Sequence, residues 1–319
     1  MRLDSKIYVA GHRGLVGSAL VRQLSIKGYQ KIVTRTHAEL DLTDQIAVRD
    51  FFDCERPEYV FLAAAKVGGI VANNTYPAEF IYSNLSIQNN VIHSAWKADV
   101  KRLIFLGSSC IYPKECPQPI KEEYLLTGPL ESTNRPYAIA KIAGVEMCYA
   151  LNRQYGTKYL AAMPTNLYGP GDSYDLDNSH VLPALIRKTH EAKVSASPKV
   201  ILWGSGKPKR EFLYVDDLAN ALLFLANLAD DLYERLIHSA GWPLINIGTG
   251  EDQTILELAE TIANIVGYRG KFVLDPDKPD GTMRKVLDVS KMRDLGWEPT
   301  TTLTTGIELT YKQFLKVLA

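Results

Sequence analysis

Tyr137 and Lys141 stand four residues apart in the stretch YAIAK, a spacing that puts a phenol and an ammonium on one face of a helix. A lysine beside a tyrosine favours the phenolate and is expected to lower the phenol below its usual range. Such a tyrosine exchanges a proton with a carbonyl or alcohol oxygen. Ser108 and Ser109 follow an apolar run, RLIFL, that reads as a buried strand, and a serine hydroxyl there would share the same oxygen with Tyr137. Cys110 lies two residues past Ser108, beside the expected reacting carbon. A thiol there is either a small core side chain or an acid–base group, and both readings stand. His180 opens a helix-like stretch and would act as an acid from the other side of the site; otherwise it is a histidine without a catalytic task. Cys54, Cys116 and Cys148 read as structural or surface residues.

Positioning these groups requires parallel strands joined by helices. Lys6–Ala10 and Arg102–Leu106 read as strands, as do residues 31–36, 59–65 and 159–163. Helical patterns cover residues 18–27, 44–54, 79–98 and 137–155 between them, and later residues 216–228 and Ile255–Val266. Alternation of this kind predicts an α/β fold of the Rossmann type, a doubly wound parallel sheet with ligands beyond its carboxyl edge. The second half is broken by prolines and glycines. The expected organisation is a nucleotide-binding domain over residues 1–170, with residues 212–246 packing back onto it, and a smaller α/β substrate domain made mainly from 171–319.

Gly11, His12, Arg13, Gly14, Leu15, Val16 and Gly17 form a turn after the first strand and open a helix. Glycines in that context let the backbone approach a pyrophosphate, which the free N–H groups of the helix start then hold. An NAD site usually has an acid ending the second strand. Here that strand ends in Thr34, Arg35, Thr36 and His37, with no acid before Glu39. Arg13, Arg35 and His37 therefore point to a ribose 2′-phosphate and to NADP. Asp41 and Leu42 follow where such folds touch the adenine.

The GxxGxxG turn with serine, tyrosine and lysine in this order resembles the extended short-chain dehydrogenase/reductase family. The stretches VAGHRGLVGSA, LAAAKVGGIVANNTYPA, FLGSSCIYPK, YAIAKIAG, MPTNLYGP, WGSGKPKREFLYVDD, INIGTG and KPDGTMRKVLD narrow the resemblance to the GDP-L-fucose synthase branch. Members of that branch are GDP-4-keto-6-deoxy-D-mannose 3,5-epimerase-4-reductases, and these stretches span nearly the whole chain. The resemblance implies that Tyr137 donates the proton for C4 reduction with Ser108 and Lys141 in support, that Cys110 is the epimerisation base and that His180 is the acid. It implies an NADP site lined by the glycine turn, Leu106, Gly107, Ser108, Ser109, Lys141, Pro164, Thr165, Asn166, Leu167 and His180. It further implies GDP-sugar contacts from Lys188, Trp203, Arg210 and Asp280, and a homodimer. Position 188 is lysine where the branch also has arginine, so a single charge replaces a bidentate fork. Position 37 is histidine where arginine also occurs. A sugar-nucleotide 4-epimerase of the same fold would need neither Cys110 nor His180, and a non-catalytic NADP-sensing module would not need the Tyr137–Lys141 pair.

Composition sets the outer bounds. Lys plus Arg and Asp plus Glu both total 36, so the 319-residue chain has no net field to hold nucleic acid or a membrane surface. Hydrophobic residues at 46% and charged residues at 23% supply a core and argue against disorder. No apolar run approaches the ~20 residues of a membrane span. The opening MRLDSKIYVAGHRG turns polar too early for a signal peptide. The four cysteines lack disulfide or zinc spacing, which points to a reduced, cytoplasmic protein without a metal site.

Overall fold

The computed structural model of the chain describes residues 1–176, 179–238, 241–278 and 280–318. In chain order the first half contains β1 (Lys6–Ala10), α1 (Leu15–Ile26), β2 (Lys31–Val33), α2 (Gln45–Glu55), β3 (Tyr59–Leu62), α3 (Ile70–Thr75), α4 (Pro77–Lys97), β4 (Arg102–Leu106), α5 (Arg135–Tyr155) and β5 (Tyr159–Pro164). The second half begins with β6 (Asn166–Tyr168), α6 (Val181–Val194), β7 (Lys199–Trp203), β8 (Lys209–Arg210), β9 (Phe212–Tyr214), α7 (Val215–Asn227) and α8 (Asp230–Ile237). It ends with β10 (Leu244–Ile247), β11 (Gln253–Thr254), α9 (Ile255–Val266), β12 (Lys271–Asp275), β13 (Arg284–Lys285), α10 (Ser290–Asp294) and α11 (Leu303–Leu318).

Six parallel strands form one sheet in the order β10-β5-β4-β3-β1-β2. The strands are apolar on both faces because helices cover both. Ile7 and Val9 of β1 join the cluster under α1 and α7, whereas Tyr8 and Ala10 join the one under α2, α4 and α5. Arg102 starts the otherwise apolar β4 and is buried. It donates to the Ala226 and Leu228 carbonyls at 3.0 and 2.8 Å and to Asp230 at 2.6 Å, so its charge is paired rather than stranded.

Local signals set the helix ends. Asp44 accepts from the Ile46 and Ala47 N–H groups at 2.9 and 3.0 Å and caps α2. Thr254 and Glu257 form a reciprocal capping box on α9, a feature worth about 1 kcal/mol. Gly156 stops α5 in the left-handed conformation at φ 68°.

Register aligns the carboxyl ends. β1 pairs β3 from Ile7 opposite Tyr59 to Ala10 opposite Leu62, and β4 pairs β5 from Leu103 opposite Tyr159 to Leu106 opposite Ala162. The chain leaves β1 toward β2 on one side and returns through β3 on the other, so the direction of winding reverses at β1. That reversal opens a crevice at the carboxyl edge.

Two expected strands are shorter than the sequence pattern suggested: β2 stops at Val33 and β3 at Leu62, because the chain beyond each leaves the ladder for this edge. Of the later chain, β10 completes the sheet beside β5 and α7 lies over the same cluster as α1. A third apolar cluster joins α6, α9 and α11 to β7 and β9.

Candidate active site

The glycine turn lies at the reversal point. Gly11 has φ +85°, and a Cβ there would stand 2.7 Å from the Ala64 nitrogen. A Cβ on Gly17 would stand 2.1 Å from the Gly11 carbonyl oxygen, so this position also excludes a side chain. Gly14 begins α1 with no side-chain cap, which leaves the first-turn N–H groups to an external acceptor. His12 Nδ1 is buried and has no hydrogen-bond partner among the described residues.

Arg13 beside it is exposed, and Arg35 reaches Glu55 at 2.5 Å and the Thr34 carbonyl at 2.8 Å. His37 is exposed with Nδ1 3.8 Å from Asp41, and Asp41 accepts from Thr43 N and Oγ1 at 2.9 and 2.7 Å. Glu39 is turned back on Thr36, accepting from its N–H and hydroxyl at 2.7 and 2.8 Å. Leu42 packs against the cluster under α4. A cradle closed to side chains, an orphaned imidazole nitrogen and two arginines fit a dinucleotide carrying an extra phosphate.

At the end of β4 the chain bends through Gly107, whose missing side chain leaves room for Met163. Ser108 then caps a single 3₁₀ turn, its Oγ accepting from the Cys110 N–H at 3.4 Å. Ser109 and Cys110 are buried in that turn. α5 runs past it. Lys141 donates to the Leu106 carbonyl at 2.7 Å, with Nζ 5.8 Å from the Tyr137 ring centroid and 4.7 Å from that of Phe105. Ser108, Cys110, Tyr137 and Lys141 thus lie within hydrogen-bond or electrostatic reach of one another.

Burial drives the titration of all three ionisable groups. It lowers Lys141 to about 8, against the opposing pull of Cys110. It raises the Cys110 thiol, which Lys285, Ser108 and Lys141 in turn pull down. It raises the Tyr137 phenol as well, with Cys110 adding to the rise and a hydrogen bond from Ser108 opposing it. The expected lowering of Tyr137 by Lys141 is therefore corrected: desolvation dominates, and the ammonium is bound to a backbone carbonyl rather than to the phenol.

His180 stands at the N-cap of α6 and its side chain forms no cap bond. The residue as a whole is exposed, yet the protein packed around its imidazole desolvates it and holds it below its ordinary value. Past β5, which ends at Pro164, Thr165 and Asn166 bond the Glu211 carbonyl at 3.2 and 2.8 Å, and Leu167 packs on the α1 side.

Trp203 is 53% exposed and flanked by the Lys188 and Lys278 ammonium groups at 5.0 and 5.3 Å from its centroid. Burial lowers Arg210, whose Nη1 donates to the Lys209 carbonyl at 2.8 Å. Asp280 receives the Ser205 N–H at 2.6 Å and hydroxyl at 2.8 Å, fastening loop 204–206 to the segment before β13.

Three residues here carry no sequence signal of their own. Glu211 is fully buried and receives the Thr249, Gly250 and Leu287 N–H groups at 2.6, 2.8 and 2.8 Å. Lys278 flanks Trp203, and Lys285 acts on Cys110. Only the contacts between distant segments reveal them.

A doubly wound sheet with a glycine turn at its winding reversal, and a serine, tyrosine and lysine at the same edge, defines a nicotinamide-dependent epimerase or reductase. The chain belongs to the NAD dependent epimerase/dehydratase family, whose model matches residues 7–237. Within it the chain is similar to GDP-L-fucose synthase 1 of Arabidopsis thaliana, 57% identical over 313 residues that cover 98% of this chain and 94% of that protein. It is 54% identical to the GDP-L-fucose synthase of Escherichia coli (strain K12), over 98% of this chain and 97% of that one. Among solved structures, a GDP-D-glycero-L-gluco-heptose synthase from Campylobacter jejuni, determined in the presence of NADPH, superposes with a TM-score of 0.92 at 40% identity over 99% of each chain.

Proposed function

We propose that this chain converts GDP-4-keto-6-deoxy-D-mannose to GDP-L-fucose, by epimerisation at C3 and C5 followed by NADPH-dependent reduction at C4. The observation that carries the reading is Cys110: a thiol held one 3₁₀ turn from Ser108 and beside Tyr137 and Lys141. A simple reductase has no use for it there.

The C4 ketone acidifies the protons on C3 and C5. Cys110 as thiolate removes one, and the electron pair moves onto the C4 oxygen. Ser108 and Tyr137 donate hydrogen bonds to that oxygen as its charge develops. His180 returns a proton to the opposite face, inverting the carbon. NADPH, when bound, supplies the hydride for C4. Tyr137, held protonated by its surroundings, gives its proton to the oxygen as the carbon is reduced, and the Lys141 charge favours the phenolate left behind.

The dinucleotide would lie along the glycine turn, with Arg13 and Arg35 toward the 2′-phosphate. Lys141, Leu106 to Ser109 and Pro164 to Leu167 would form its nicotinamide wall. Lys188, Trp203 and Arg210 would hold the GDP-sugar, with Asp280 fixing the loop between them. We place the protein in a reducing, cytoplasmic compartment, a reading supported by its four free cysteines. We also read it as a homodimer, supported by exposed Tyr82, Ile139 and Tyr155 on α4 and α5.

The test is incubation with GDP-4-keto-6-deoxy-D-mannose and NADPH, with the sugar identified by proton NMR. A product with unchanged C3 and C5, or no NADPH oxidation, refutes the proposal.

A further inference from the structure

Lys285 is held on three sides. It lies opposite Arg210 in the parallel pair of β13 and β8. The segment that follows is clamped: Val286 N donates to Gln118 Oε1 at 3.0 Å, Ile120 N donates to the Val286 carbonyl at 2.8 Å, and Leu287 N donates to Glu211 at 2.8 Å. Arg284 turns outward to Asp252 at 2.5 Å. Strand alternation therefore sends Lys285 to the other face, toward the segment that carries Cys110.

Burial lowers Lys285, and its charged and titratable neighbours there are Cys110, which pulls it back up, then Arg210, Cys116 and Glu131. Glu131 is the weakest of these influences and forms no ion pair with Lys285; its carboxylate accepts from the Thr133 and Asn134 N–H groups at 2.9 and 3.3 Å, at the start of α5. Among the described residues the Lys285 side chain forms no hydrogen bond or ion pair. Cys110 is faced by Lys285 from this strand, by Tyr137 and Lys141 from α5, and by Ser108 from its own turn. Lys141 is committed to the Leu106 carbonyl. Lys285 is thus the uncommitted cation beside a buried thiol.

We propose that Lys285 is the counter-charge of the Cys110 thiolate, a positioning residue for the epimerisation half of the reaction. The inference rests on the role given to Cys110 above. In each inversion the thiolate takes H⁺ from C3 or C5 and the C–H electron pair becomes the enolate at the C4 oxygen. The His180 imidazolium then gives H⁺ to the opposite face, and the enolate returns to the ketone. Cys110 ends as a thiol and His180 as a neutral imidazole, and solvent resets both. An ammonium fixed beside the sulfur stabilises only the thiolate end of this cycle. Reduction at C4 leaves the sulfur unchanged, so Lys285 acts on one half-reaction.

The experiment compares wild type with Lys285→Gln and Lys285→Arg, each loaded with NADP⁺. Carbamidomethylation of Cys110 by iodoacetamide is followed against pH by peptide mass spectrometry, with exposed Cys54 as the internal reference. Lys285→Gln should move the Cys110 midpoint upward by about one pH unit or more, and Lys285→Arg should restore it. With keto-sugar in deuterated water, the neutral variant should lose about tenfold or more in deuterium entry at C3 and C5, and less in NADPH oxidation.

An unmoved midpoint, with KM for the GDP-sugar raised equally in both half-reactions, overturns the proposal and makes Lys285 a diphosphate contact. Lys285→Met is the second neutral variant if Lys285→Gln disturbs folding, and the same readings apply. Failure of the underlying role looks different: Cys110→Ser would then exchange deuterium normally, whatever Lys285 does.

Discussion

Lys141 Nζ donates to the Leu106 carbonyl oxygen at 2.7 Å, joining the second turn of α5 to the last residue of β4. The bond closes the gap between the two elements that carry Tyr137 and Ser108. It also explains why a lysine only 3% exposed is tolerated there.

The same bond has a stability consequence. Burial lowers Lys141 from 10.5 to about 8, so the unfolded chain binds this proton more tightly than the folded one. The cost is fully present below pH 8 and is relieved as pH rises from 8 toward 10.5; it amounts to on the order of 3 kcal/mol. Lys141→Met keeps the stem beside Phe105 and removes the charge. The variant should be more stable than wild type at neutral pH, with the gap closing in alkaline buffer, and it should be catalytically crippled. Urea unfolding at both pH values measures it; a constant gap would show that the charge is not the cause.

Cofactor choice is expected to depend on Arg13 more than on Arg35. Arg35 is already bonded to Glu55, whereas Arg13 is exposed. Arg13→Ala should lower kcat/KM for NADPH by about tenfold or more while leaving NADH little changed, since a charge-assisted phosphate contact is lost. Steady-state kinetics with both cofactors measures this, and an equal loss with NADH would assign Arg13 to the shared pyrophosphate.

The sheet and the proposed catalytic edge are legible in the sequence because their signals are local. β1, β4 and α9 match the sequence reading end to end, since each is an apolar run bounded by turn or capping residues. Ser108, Tyr137 and Lys141 were legible because one strand end and one helical turn place them. The irregular half was less so. β8, β11 and β13 are two residues each and exist only through pairing with one another. Glu211 looks like a surface acid in REFLY, and no periodicity reveals that three distant N–H groups converge on it. The sign of the Tyr137 shift lies outside the sequence for a related reason, because spacing shows a neighbouring charge but not the desolvation that outweighs it.

Glu211 offers a test of that irregular half. Its Oε1 accepts from Thr249 and Gly250, and its Oε2 from Leu287. In Glu211→Gln one of these oxygens becomes an amide that can only donate, so at least one buried N–H loses its acceptor. The expected loss is about 1–3 kcal/mol of stability, with KM for the GDP-sugar rising because Arg210 adjoins it and Leu287 adjoins the Lys285 strand. Denaturant midpoints and sugar-nucleotide KM check the two effects together; unchanged KM in a destabilised variant would restrict Glu211 to folding.

The resting protonation states predict the shape of a pH profile. Burial raises Cys110 above 9.0 and lowers His180 below 6.5, so the free protein holds a thiol and a neutral imidazole. Proton abstraction needs the opposite pair, thiolate and imidazolium. That minor form still varies with pH as a bell, flat between the two macroscopic values and falling outside them. kcat/KM for deuterium entry at C3 and C5 should therefore have its acid limb below pH 6.5 and its alkaline limb above pH 9.0. A limb at ordinary values would show that these environments do not control the exchange.

Cys110→Ser tests the division of labour between the two half-reactions. The substitution nearly preserves size in the buried turn, but a serine hydroxyl is far less acidic than a thiol and forms no useful base. Deuterium uptake at C3 and C5 should fall by about 100-fold or more, the scale of a lost general base. The groups that reduce C4 remain: Tyr137 still meets Ser108, and Lys141 still bonds the Leu106 carbonyl. The variant should therefore reduce keto-sugar that has not been epimerised and release a 6-deoxy-hexose with the starting configuration at C3 and C5. His180→Asn should give the same product, with partial deuterium entry where Cys110 removes a proton that returns to its original face. Mass and proton-NMR analysis of product formed in deuterated water separates the cases. A folded Cys110→Ser enzyme that delivers fully deuterated L-fucose would move the base to another residue.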